Sequence, residues 1–174
     1  SSAESYVYKG QALNNTLGRI GTEIELPCSS ISQYFDDWLE KDGFPFWSLW
    51  DNARTWWEIH NLPNVHMVHF ANLKSDMPGE IRRIAEFIGT PIEESKWENI
   101  LKHCSFDYMR ANATKSVPLG GAFWDGGAQT FIHKGTNGRW LDVLSAKQVL
   151  NYEQRAESEL GLDCAHWFAT GEFR

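Results

Sequence analysis

The sequence predicts an α/β protein, helix-rich over most of its length, with a parallel sheet contributing its core strand. Two observations carry this expectation. Val65-His66-Met67-Val68-His69-Phe70 is a short, mostly apolar run set between helical patterns, as a buried parallel strand would be. Around it, segments near 31–41, 45–60, 76–88, 93–104 and 145–160 repeat apolar residues at helical spacing. Glycine and proline punctuate the joints between them, and there is no internal repeat or low-complexity segment.

Residues 1–30 are the least regular stretch, broken by Asn14-Asn15, Gly18, Gly21 and Pro27, and read as loop. Ser30 or Ser32 caps a helix to about Lys41, with Ile31, Phe35, Trp38 and Leu39 on one face. Gly43 and Pro45 stop it. A second helix, about Pro45 to His60, carries Trp47, Trp50, Trp56 and Trp57, read as core because large rings dominate packing. The apolar run follows. In a strand His66 and His69 face opposite sides, so they do not chelate one metal, and no metal site is expected.

Asp76-Met77-Pro78 opens the clearest helix, with Ile81, Ile84, Ala85 and Ile88 inward and Arg82, Arg83 and Glu86 towards solvent. Gly89 ends it. Thr90-Pro91-Ile92-Glu93 has the form of a capping box before Trp97, Ile100 and Leu101. Ser105 caps a short turn bearing Phe106 and Met109. Residues 112–138 read as a long loop bracketed by Gly120-Gly121 and Gly126-Gly127, a length that inside a domain usually serves function. Ser145 then starts a helix with Val149, Tyr152, Ala156 and Leu160 inward, and Gly161 stops it. Cys164, Trp167 and Phe168 form a closing apolar patch.

The 174 residues are 42% hydrophobic and 14% aromatic, enough for one domain with a real core. A formal charge of −7 argues against nucleic acid or an anionic membrane as partner, since both need a broad basic surface. No apolar run approaches the length of a membrane span, about 18 residues, and no signal-peptide pattern is present. The three cysteines, Cys28, Cys104 and Cys164, are odd in number and widely spaced, which fits reduced thiols in a cytoplasmic compartment. Hydrolase chemistry has no support: there is no Gly-x-Ser-x-Gly, and Cys104 lies in a capping turn.

The chemically suggestive stretch is Phe131-Ile132-His133-Lys134-Gly135-Thr136-Asn137-Gly138-Arg139-Trp140. Gly135 and Gly138 permit backbone angles that let main-chain N–H groups converge on one oxyanion, with Lys134 as point charge and His133 and Arg139 beside it. The competing reading is an ordinary surface loop with Asn137-Gly138 as a tight turn. These residues alone leave both open.

That stretch resembles the Arg-Lys-Gly-x-x-Gly-x-Trp segment of PAPS-dependent sulfotransferases. His103-Cys104-Ser105-Phe106-Asp107-Tyr108-Met109 is similar to the same family's His-Thr-Ser-Phe-x-x-Met. Pro63-Asn64-Val65 through Phe70-Ala71-Asn72-Leu73-Lys74 is similar to its strand and turn before the next helix. The three matches come in order over roughly residues 30 to 165 and look closest to bacterial members.

The resemblance implies a P-loop-like three-layer fold with a mainly parallel sheet. The implied activity is transfer of a sulfuryl group from PAPS (3′-phosphoadenosine 5′-phosphosulfate) to the hydroxyl or amine of a small-molecule acceptor. Adenine contacts would fall on Phe70, Cys104 and Phe106, and 3′-phosphate contacts on His133, Lys134 and Gly135, with Phe131 and Ile132 also in the cofactor-binding segment. Phe70 stands where the family has tyrosine, Cys104 where it has threonine and His133 where it has arginine. The family's dimer motif maps onto Leu141, Ser145, Ala146 and Leu150 and is lost. Its phosphate-cradling loop, catalytic histidine and Arg/Ser pair lie upstream and match nothing in 1–174, so no catalytic residue is assigned. The expectation is the C-terminal part of a single sulfotransferase domain, whose partner is the N-terminal half of the same protein. The alternative is a non-catalytic module that binds a nucleotide or a partner protein.

Overall fold

The structure is a computed structural model that describes residues 30–43, 47–122, 124, 126–132 and 134–174. Among the described residues its regular elements are all helices, and there is no β-strand. This corrects the α/β expectation, including the mainly parallel three-layer sheet. Val65 to His69 run as half-buried, non-helical chain without a ladder, and Phe70 already begins a helix. A strand exists only through hydrogen bonds to a neighbouring strand, and none is present among the described residues. The apolar pattern reported burial, which such a run shares with other buried segments.

The helices begin where the caps put them. Ser30 accepts the Gln33 N–H at 3.0 Å and opens α1, Ile31–Glu40. α2, Leu49–Glu58, is doubly capped. Ser48 accepts from Asp51 N, and Asp42 accepts from Leu49 N at 3.1 Å, from Trp50 N at 3.3 Å and from the Ser48 hydroxyl. A carboxylate there also complements the positive end of the helix. α3, Phe70–Ser75, is capped by His69. In α4, Met77–Phe87, Asp76 accepts from Gly79 N and Pro78 sits in the first turn.

The capping box at Thr90–Glu93 does not form. Glu93 instead pairs with Lys96 at 2.8 Å, and a 3-10 turn, Glu94–Lys96, leads into α5, Trp97–Cys104. α6, Phe106–Ala111, has Ser105 as its cap. The expected long loop over 112–138 contains α7, Ala113–Ser116, a 3-10 turn, Pro118–Gly121, and α8, Ala128–Phe131. Another 3-10 turn, Arg139–Asp142, precedes α9, Ala146–Leu160, and α10, Leu162–Thr170. The irregular stretch expected over 1–30 lies outside the described residues except for Ser30. No helix among the described residues is long and apolar enough to cross a membrane.

The chain divides into two compact units: the described residues of Ser1–Trp38 with Lys102–Ser145, and Leu39–Leu101 with Ala146–Arg174. In the second, α9 packs on α2 and α10, and Trp50 is buried against Tyr152 with ring centroids 5.8 Å apart. Burial raises the Tyr152 phenol pKa. Of the four tryptophans assigned to the core, Trp50 and Trp57 are packed, whereas Trp47 and Trp56 are exposed. Glu80, on the inner side of α4, is buried and answered by Arg83. The first unit has a smaller apolar cluster of Ala113, Val117 and Ala128, with Trp124, Phe131 and Ile132 packed against it.

Candidate functional site

The glycine stretch leaves α8 at Phe131 and turns through Gly135 and Gly138, both with positive φ (60° and 78°). Gly138 is left-handed and opens the 3-10 turn Arg139–Asp142. Gly135 has a second requirement. A Cβ added there would lie 2.5 Å from both Cδ2 and Cε2 of Phe106. The main chain of the loop therefore rests on the Phe106 ring, an approach that only glycine permits. Phe106 is the first residue of α6, held there by Ser105, whose Oγ accepts the Tyr108 N–H at 3.2 Å and donates to Lys102 O at 2.7 Å.

Thus the fold brings Phe106 and Gly135 together from two separate sequence motifs. Lys134, next to Gly135, is exposed and has no ion-pair partner among the described residues. An exposed ammonium beside a left-handed glycine is an arrangement suited to an oxyanion. Arg139 is half-buried at the far end of the loop. Cys104, a free thiol, is exposed at the end of α5, two residues before Phe106. His133 lies outside the described residues. Phe131 and Ile132 are packed on the apolar cluster, with Phe131 edge-on to Trp124 at 4.7 Å and 62°. Phe70 belongs to the other compact unit, 54% exposed at the start of α3.

Several residues that shape this unit had no role assigned from sequence. Gly121 is buried with φ 87°, and a Cβ there would stand 2.2 Å from Ala128 N, so α8 lies directly on its backbone. Gln129 donates to Arg110 O at 3.0 Å and ties α8 to α6. Leu119, at φ 50° and 72% exposed, is a left-handed non-glycine residue. The glycine pairs were the visible signal for such contacts, although not for what they would touch.

Comparison with known proteins gives this geometry its family. The family profile described as "Sulfotransferase domain" matches residues 4–162. The chain belongs to the sulfotransferase domain family. Human Sulfotransferase 1C2 is 26% identical over 149 residues, covering 84% of this chain and 47% of that protein. Bovine Sulfotransferase 1E1 is 29% identical over 129 residues, 70% of this chain and 44% of the relative. This sulfotransferase-family chain thus spans about half the length of the curated relatives it matches. The crystal structure of mouse sulfotransferase SULT7A1 complexed with PAP superposes with a TM-score of 0.71 at 19% identity, over 99% of this chain and 61% of that one. At that identity the likeness is one of fold.

Proposed function

We propose that the protein containing this chain transfers a sulfuryl group from PAPS to a hydroxyl or amine of a small-molecule acceptor. Its C-terminal part would supply the nucleotide's 3′-phosphate and adenine contacts, and the rest of the domain the catalytic groups. Lys134, Gly135 and His133 serve the phosphate. Cys104 and Phe106 serve the adenine, a role the resemblance also gives to Phe70, while Phe131 and Ile132 carry the loop into place from the apolar cluster. The observation that supports this reading best is the seat of Gly135 on the Phe106 ring, which puts a phosphate candidate against an adenine candidate. The exposed Lys134 beside it adds the positive charge.

The chemistry asked of these residues is positioning. Sulfuryl transfer breaks the bond from sulfur to the phosphate oxygen of PAPS and forms a bond from sulfur to the acceptor oxygen or nitrogen, which gives up a proton, leaving PAP. Holding the donor by a remote phosphate spends binding energy on orientation at the reacting centre. The test is PAPS-dependent sulfation of a panel of phenols and amines by the intact protein, with PAP binding measured alongside. Turnover with PAP release is expected. Tight PAP binding without transfer to any acceptor would make the protein a nucleotide-binding module, and no PAP binding would overturn the reading altogether.

A further inference from the structure

Phe70 is more than half exposed, so its ring is not oriented by burial. Its backbone is held instead from both sides. His69 Nδ1 accepts the Ala71 N–H at 3.3 Å. His69 Nε2 faces Phe168 O at 3.1 Å. A ring nitrogen opposite a carbonyl must carry the hydrogen, so His69 donates from Nε2 while its Nδ1 accepts. The same ring stands edge-on to Trp167, 5.4 Å away at 77°.

On the other side, Asn72 Nδ2 donates to Gly171 O at 3.0 Å. Gly171 has φ 79°, and a Cβ there would lie 2.8 Å from Asn72 Nδ2, Asn72 Oδ1 and His69 Cγ. Just beyond, Phe173 stacks on Trp57 and His60, each at 5.8 Å. The turn that ends α10 therefore closes on the two side chains that flank Phe70.

We infer that His69 and Asn72 are positioning residues, through which the C-terminal turn at Gly171 orients Phe70 for a purine ring. The inference rests on the proposed contact of Phe70 with adenine. Neither side chain touches the nucleotide; both act through the backbone of residues 69–72.

Two ligands separate this role from general stability: PAP, and ribose 3,5-bisphosphate, which keeps both phosphates and lacks adenine. Calorimetry on the intact protein gives the affinities, and thermal unfolding is followed in parallel. Removing a base-stacking ring costs roughly fivefold to 150-fold in affinity, so Phe70→Ala should weaken PAP by that much and leave ribose 3,5-bisphosphate unchanged. Asn72→Ala and Gly171→Ala should weaken PAP by a part of that factor, again sparing the bisphosphate, and Asn72→Ala should add nothing in a Phe70→Ala background. Should Gly171→Ala fail to fold, Asn72→Ala, which deletes one hydrogen bond, carries the test. Equal weakening of both ligands, or unchanged PAP affinity in Asn72→Ala, would overturn the inference while Phe70→Ala keeps its effect. If Phe70→Ala leaves PAP unaffected, the adenine contact itself falls, and the inference with it.

Discussion

The two compact units are each built in a different way. In the unit of Leu39–Leu101 and Ala146–Arg174, large side chains do the work. Trp50 fills the space against Tyr152, Trp57 lies among His60, Trp167 and Phe173, and Arg54 and Arg155 both reach Glu159. In the other unit the buried residues are small: Ala113, Val117, Gly121 and Ala128. Its order lies in the backbone, with positive φ at Leu119, Gly120, Gly121, Gly126, Gly127, Gly135 and Gly138. The first construction makes a core. The second brings bare main chain close to its neighbours, and it resists added atoms more than lost ones.

The comparison breaks most readily at its extremes. Trp50→Ala should cost about 3–5 kcal/mol in denaturant unfolding, the usual range for emptying a buried aromatic site. A loss below about 1 kcal/mol, the range of a surface change, would mean that the unit does not depend on its large rings. Gly121→Ala is the counterpart in the backbone-built unit. It meets left-handed strain of about 1–2 kcal/mol and overpacking of about 1–3 kcal/mol, for a total of about 2–5 kcal/mol. Gly89→Ala shares the positive φ but has open space around its Cβ, so only the strain of about 1–2 kcal/mol should appear. Equal effects at the two glycines would show that close approach is not what fixes Gly121.

Smaller effects sharpen the picture. The Arg82 guanidinium binds both oxygens of Glu94, at 2.9 and 3.2 Å, and lies 4.0 Å over the Trp97 ring. Its hydrogen bonds and charge hold the Glu94 carboxyl below the usual carboxylate range. A lowered folded pKa stabilises above the ordinary carboxylate range and is lost as pH falls through the folded value. Wild type should therefore melt slightly above Glu94→Gln at neutral pH, with the gap closing in acid and in high salt. A gap that persists in acid would assign it to packing on Trp97. Thiol reactivity should differ without affecting stability at all. Cys104 is exposed, whereas Cys164 is buried with its pKa raised by desolvation, so peptide mapping after brief alkylation should find Cys104 modified before Cys164.

Helix starts were legible because caps are local: Ser30, one of the two serines offered for the first helix, Asp76 with Pro78, Ser105 and the stop at Gly161 all stand where the sequence placed them. The failures came where a local pattern has two physical outcomes. Val65–Phe70 is apolar enough for a strand, but strand formation depends on a partner that the run itself does not specify. Glu93 carries the capping-box signature, yet Lys96 takes its carboxylate. The short helices inside 112–138 span only four residues each, too few to show a period. At the candidate site, Lys134 and Gly135 were readable as types at a spacing. That Gly135 would sit on the Phe106 ring was not, because it depends on a tertiary approach between distant segments.

The central claim, that the loop at Lys134 holds the nucleotide's 3′-phosphate, is tested most directly by calorimetry on the intact protein and its Lys134→Ala variant. PAP and adenosine 5′-phosphate, which lacks the 3′-phosphate, are titrated into each. Loss of one charge-assisted contact should weaken PAP by about 1.5–3 kcal/mol, roughly tenfold to 150-fold, and leave adenosine 5′-phosphate unchanged. Unchanged PAP affinity, or an equal loss for both ligands, would contradict it.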